Sequence, residues 1–196
     1  DYGAEELKAI AQNELLGGNL DNALYNFKGA LSLMPEDGAL WTETSRAAGT
    51  AVGNYAMASE AVLTAINGYQ LSRTAQRRAD ALAVLAAALE RQQNYRPALT
   101  AYRESLALVR SKTVQAAYDD LRERQGFRVV GNTIDADSAS PRACVQFSEP
   151  LLKATDYAPF VIVDGRAPAA LEASDNQICV EGLTHGQKLT LSLRRG

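Results

Sequence analysis

Asn19-Leu20-Asp21-Asn22-Ala23, followed by Phe27 and Ala30, is the stretch that decides the fold, because its pattern recurs twice. Asn54-Tyr55-Ala56-Met57-Ala58 is followed by Val62 and Ala65, and Asn94-Tyr95-Arg96-Pro97-Ala98 by Tyr102 and Ser105. In each case a small, a large and a second small residue are spaced by four and then three, which puts them on one face of a helix. Small residues there let a neighbouring helix approach, and the large one fills the gap. The Asn lies in a turn before this helix. Upstream of each turn runs an amphipathic segment: Leu7, Ala11 and Leu15; Trp41, Ser45 and Ala48; Leu82, Leu85, Ala86 and Leu89. Each unit therefore reads as helix, tight turn, helix. The anchoring Ala moves from 23 to 58 to 98, giving periods of 35 and 40, a range that marks stacked repeats. A further segment, Thr113 to Arg124, carries Val114, Ala117, Tyr118 and Leu121 on one face. It is predicted to cap the last repeat, with Gly126 as its C-terminal stop.

The first unit resembles the tetratricopeptide repeat: Leu7, Ala11, Ala23, Phe27, Ala30 and Pro35 match that motif in register, and Trp41 falls 34 residues after Leu7. The second and third units match less fully, since both lack the terminal Pro. The resemblance implies a helical solenoid of three repeats and a cap over residues 1–125, without catalytic machinery of its own. It also implies a concave groove, lined by the first helix of each unit, for a protein or peptide partner. At the inward positions stand Glu5, Lys8 and Gln12, then Thr42 and Arg46, then Ala83, Ala87 and Glu90. The Lys/Arg/Asn cluster that arrays specific for acidic C-termini present is missing, so a carboxylate clamp is not expected. A purely structural spacer is the competing reading.

From Phe127 the periodicity changes to two. Phe127–Val130, Ala143–Phe147, Phe160–Val163, Gln177–Val180 and Leu189–Leu193 read as short strands. Asp135 to Pro141, Asp164-Gly165, Asp175-Asn176 and His185-Gly186 supply the turns. Residues 126–196 are thus predicted to form a small β-sandwich. The chain is multidomain, α then β, and the single-residue linker Gly126 predicts a fixed junction.

Only two cysteines occur, Cys144 and Cys179, too few for a zinc site beside the single histidine, His185. They are read either as one disulfide, which implies an oxidising compartment, or as two buried thiols. Alternation places both off the apolar face that carries Val145, Phe147, Ile178 and Val180.

Ala143-Cys-Val-Gln-Phe-Ser-Glu-Pro-Leu151, then Ala158-Pro-Phe-Val-Ile-Val, then Ile178-Cys-Val-Glu-Gly-Leu-Thr-His-Gly-Gln-Lys-Leu-Thr-Leu, is similar to a bacterial immunoglobulin-like domain. More narrowly, it resembles the first extracellular domain of the bacterial alpha-2-macroglobulin family, in whose proteobacterial branch two such Cys strands are coupled. The resemblance implies a disulfide between Cys144 and Cys179. It also implies a periplasmic or cell-envelope protease trap, anchored in many cases through a segment outside these residues, with proteases as partners of the full-length protein. The Cys-Gly-Glu-Gln thioester of that family does not occur here. Residue 1 is Asp and no signal peptide is read, so a processed or excised piece ending near a domain edge is expected.

The formal net charge of −3 is spread evenly: residues 1–126 hold 13 basic and 15 acidic side chains, and residues 127–196 hold 7 and 8. Neither part offers the basic face of a nucleic-acid binder, and no apolar run reaches the ~18–20 residues of a membrane span. His185 falls in a polar turn, and no pair of carboxylates is fixed by a motif as acid–base chemistry would need. Gly17-Gly18 belongs to an inter-helix turn rather than a phosphate loop. No enzyme activity, cofactor or metal is expected. Two functions are: the N-terminal part of a macroglobulin-like inhibitor with the repeats as an interaction or spacing module, or a stand-alone envelope scaffold that binds a partner through its groove.

Overall fold

A computed structural model describes residues 2–51, 53–137 and 139–194. The chain divides into two compact units, Asp1–Gly126 and Phe127–Gly196.

In the first unit the described residues form α1 (Ala4–Leu16), α2 (Leu20–Leu33), α3 (Gly38–Ala48), α4 (Tyr55–Leu71), α5 (Ala75–Arg91), α6 (Tyr95–Leu108) and α7 (Lys112–Gln125). The helices pack as the pairs α1–α2, α3–α4 and α5–α6, each pair against the next. First helices start at 4, 38 and 75 and α7 at 112, steps of 34, 37 and 37. α7 therefore begins where the first helix of a fourth unit would.

Helix starts follow from side chains that accept otherwise unpaired N–H groups. Asp37 Oδ1 accepts from Ala39 and Leu40 at 2.9 and 3.1 Å, Asn54 Oδ1 from Met57, Thr74 Oγ1 from Arg77 and Ser111 Oγ from Val114. The recurring turn has its own cause. The residue before each repeated Asn is left-handed: Gly18 (φ 77°), Gly53 (73°) and Gln93 (61°). Asn19 N–H then reaches back to Glu14 O at 2.8 Å, and Asn94 N–H to Leu89 O at 2.9 Å. These are the long bonds of a Schellman ending, which satisfies the last carbonyls of the preceding helix. Glycine takes this conformation without penalty, whereas Gln93 carries about 1 kcal/mol of strain.

The small-large-small pattern is buried as its spacing demands. Ala23, Phe27 and Ala30 are fully enclosed, and so, nearly, are Ala98, Tyr102 and Ser105. In the middle unit Ala65 is buried, while Ala58 and Val62 are half-buried. Phe27 and Leu40 centre one cluster, and Tyr102 and Leu121 a second. Each large apolar side chain so enclosed contributes about 1.5–3 kcal/mol. Two buried hydroxyls are bonded across helices: Ser45 Oγ donates to Ala61 O at 2.6 Å and Ser105 Oγ to Ala79 O at 2.7 Å. The α7 cap places Leu121 in the second cluster. Gly126 ends α7 for a different reason from the one expected. Its φ is −73°, not left-handed, and a side chain there would collide with the Arg122 carbonyl. No described helix is long and apolar enough to cross a membrane.

The second unit contains β1 (Val129–Asp135), β2 (Arg142–Phe147), β3 (Val161–Val163), β4 (Leu171–Ser174), β5 (Gln177–Val180) and β6 (Leu191–Leu193). β1-β2-β5-β4 form one antiparallel sheet and β3-β6 a two-stranded one. Both sheets feed one core: Val145, Phe147, Ile178 and Val180 from the larger, Val161 from the smaller. Asp164-Gly165, with φ of 48° and 79°, closes a tight turn between Val163 and Arg166, as Asp-Gly predicts.

Two strand expectations are corrected. β1 starts at Val129 and runs on to Asp135, beyond the expected Phe127–Val130, because a bulge between Val129 and Gly131 absorbs the glycine. Phe127 itself stacks on Phe147 at 4.9 Å. β4 was not expected, since Leu171-Glu-Ala-Ser is poor in β-branched residues. Pairing with β5, through a turn at the left-handed Asp175, makes it a strand.

Cys144 and Cys179 are direct partners in the β2–β5 register and form a disulfide, their Cα atoms 3.9 Å apart. Alternation puts them on the face opposite the core, in a row with Thr133 and Glu172. Both are nonetheless buried. Beside them Arg142 lies 4.0 Å from Asp135 and 3.8 Å from Glu172.

Candidate functional site

Successive first helices of the array enclose a groove of about 370 Å3, lined by Arg46 of α3 and Gly49 just after it, by Ala83, Val84, Ala87 and Arg91 of α5, and by Val114 and Ala117 of α7, with Tyr102 of α6 beside them. The lining is largely apolar and rich in small residues, with Val84, Val114 and Tyr102 as its larger members. A second cleft of about 410 Å3 continues from it, sharing Gly49, Ala88 and Arg91 and reaching Tyr55 and Ala58 of α4.

The walls are charged, and pairs bridge one first helix to the next. Arg46 binds both carboxylate oxygens of Asp80, at 2.8 and 3.0 Å, across 34 residues. Arg124 of α7 donates to Glu90 Oε1 at 3.0 Å, again across 34 residues, and to Asp120 at 2.7 Å. Outside the groove, on the α1–α3 seam, Gln12 Nε2 donates to Glu43 Oε1 at 2.6 Å, and Lys8 lies 3.9 Å from the same carboxylate. Exposed pairs of this kind are worth ~0–1 kcal/mol each. Their more important effect is to neutralise the walls. The hydrogen bond from Arg124 holds the Asp120 carboxyl below its ordinary range. In return Asp120, and then Glu90, raise the affinity of the Arg124 guanidinium for its proton. Tyr102 donates to Glu90 Oε2 at 3.3 Å. Burial first, and the Glu90 charge second, push its phenol up to about 12, so it stays a donor throughout the neutral range.

Of the residues expected to face the groove, Arg46, Ala83 and Ala87 line it. Glu90 stands beside it, occupied by Arg124 and Tyr102. Lys8 and Gln12 belong to the α1–α3 seam instead. Glu5 is exposed on the first turn of α1 and makes no hydrogen bond or ion pair among the described residues. Thr42 is a correction: it is only 3% exposed, packed under Gly68 of α4, with its hydroxyl donating to Gly38 O at 2.8 Å. Standing about 40° round the helix from Arg46, the residue falls on the side packed against its pair partner α4.

Asp80, Arg91 and the α7 wall were missed. The signal was present in the 34-residue offset, which carries Arg46 to Asp80 and Glu90 to Arg124. Reading α7 only as a cap hid its second role. Among the described residues no group of three His, Cys, Asp or Glu side chains is placed to hold a metal ion. His185 lies in an exposed turn.

No family model matches the chain, and no curated protein does. Solved structures do. The N-terminal domain of stress-induced protein-1 from C. elegans superimposes with a TM-score of 0.53 at 15% identity, covering 61% of this chain and 94% of that one. The Arabidopsis OM64 TPR domain gives 0.53 at 17% identity, with the same coverage. The first TPR of Spaghetti (RPAP3), bound to the HSP90 peptide SRMEEVD, gives 0.54 at 17%, covering 62% and 94%. The helical unit thus has the fold of tetratricopeptide-repeat domains.

Proposed function

We propose that the helical unit is a non-catalytic protein-interaction module whose groove between α3, α5 and α7 receives a peptide segment of a partner protein. One observation carries the reading: a largely apolar groove rich in Ala and Gly stays open while the charges on its walls are mostly paired with one another. A spacer has no need of such a bed. The TPR of RPAP3 holds a peptide, which supports a peptide as the occupant.

Display of random 12-residue peptides on the whole 196-residue chain tests it. Ala87 is exposed at the groove, so Ala87→Trp fills the floor and leaves the core alone. Selected peptides are expected to bind the variant at least tenfold more weakly, with unchanged helicity. Undiminished binding would place their site elsewhere.

A finer reading concerns the second unit, which we take as a small immunoglobulin-like domain of a macroglobulin-like protease trap of the bacterial envelope. Its support is the residue match of the two Cys strands, together with their position as disulfide-joined neighbours. A stand-alone envelope scaffold is the competing reading. The length of the natural polypeptide separates them: a trap needs a chain several times longer, and a natural chain ending near residue 196 would sink it.

A further inference from the structure

The groove reading can be taken to the chemistry of its ligand, and the inference here rests on that reading. Charge on the groove walls is paired, with one exception. Arg46 is held by Asp80, and Glu90 by Arg124 and Tyr102. Arg91, on the last turn of α5, makes no hydrogen bond or ion pair among the described residues. It lines both the groove and the cleft that continues from it, so it stands where a ligand crossing from one to the other must pass. Around it the lining is mostly small, with Gly49, Ala83, Ala87, Ala88 and Ala117, and is bordered by the apolar side chains of Val84 and Val114 and by Tyr102.

We infer that the groove selects a short peptide segment in which a single acidic residue, paired with Arg91, lies beside bulky apolar residues that pack against the apolar floor. Charge complementarity sets the number of acids at one. A guanidinium has a planar fork of donors that suits a carboxylate, and only one fork is unengaged. A second adjacent carboxylate would be brought toward Asp80 and Glu90, whose own cations are already committed to them, and would be repelled. Runs of acids and acid-rich C-termini are therefore poor ligands. A neutral apolar segment would leave Arg91 partly desolvated without a partner, which is costly.

The experiment uses the displayed 12-residue peptides. Wild-type protein is expected to enrich sequences with one Asp or Glu within a few positions of Leu, Ile, Phe or Met. A synthetic peptide from that set should bind Arg91→Glu at least tenfold more weakly, and its Asp→Asn form should lose a similar factor on wild-type protein. The combined change should cost little more than either alone, as a shared contact requires. Arg91 is exposed, so the variant keeps its fold, which circular dichroism checks. If Arg91→Glu and the Asn peptide both bind as the parents do while Ala87→Trp still abolishes binding, the acid preference is wrong and the groove stands. If no enriched peptide responds to Ala87→Trp, the groove reading falls and this inference with it.

Discussion

A protein with Cys144→Ala and Cys179→Ala is expected to lose its folded β unit under conditions that leave the helical unit intact. The disulfide closes a loop with a sequence separation of 35. In the chain-entropy account, a loop of that size restrains the unfolded chain by about 4 kcal/mol. The β unit has little to set against such a loss. It spans residues 127–196, its strands are mostly three to seven residues long, and β1 is exposed along nearly its whole length. A unit of this size buries a smaller share of its surface than a larger domain does and is correspondingly marginal. Trp41 is the single tryptophan and packs against the first helical cluster, so its fluorescence reports the array alone. Hydrogen exchange of peptides spanning β2 and β5 reports the other unit. Expected is fast exchange in those strands with an unmoved Trp41 transition. A Trp41 midpoint that falls in step would show that the two units unfold together. Slow exchange in the variant would show that the core of Val145, Phe147 and Ile178 suffices.

Which features were legible in the sequence follows from the same physics. The repeats could be read because a small-large-small face at a spacing of four and three has one geometric use, and Ala23, Phe27 and Ala30 are enclosed as that use requires. The cysteine pairing was half legible. Alternation put both side chains off the core face, but register is a tertiary property, and only the β2–β5 ladder makes Cys144 and Cys179 partners. β4 was illegible for the same reason: nothing local in Leu171-Glu-Ala-Ser favours a strand, and its pairing with β5 creates it. In the groove, counting along a repeat pointed to Arg46 and Ala87, which line it, yet it could not tell a groove position from a pair seam. Thr42 went to the wrong side because it stands four residues before Arg46, about 40° round the helix, and the α3–α4 packing decides that margin. Arg91 escaped notice because its interest lies in what it does not touch.

The helical unit has its own point of greatest sensitivity, Phe27. Its side chain is 0% exposed and sits in a cluster whose other buried members are largely alanines, among them Ala11, Ala30, Ala47, Ala48 and Ala61. Truncating a buried Phe to Ala costs about 3–5 kcal/mol, with the size set by how far the surroundings collapse into the space left. The alanines have no rotamers with which to refill a cavity, while Leu24, Leu31 and Leu40 of the same cluster can close it in part, so Phe27→Ala is expected near the middle of that range. With three repeats and a cap, each unit depends on its neighbours for burial, and the loss spreads through the array. For a urea dependence of ~2 kcal/mol per molar, the Trp41 midpoint should fall by about 2 M. Phe27→Leu keeps an apolar side chain of nearly the same bulk and should cost under about 1.5 kcal/mol. Exchange in β2 and β5 should be untouched by either change, the mirror image of the cysteine result. If Phe27→Ala moved the Trp41 midpoint no further than Phe27→Leu, the alanine-lined core would be closing over the gap, and close packing at this position would not be what holds the repeats together.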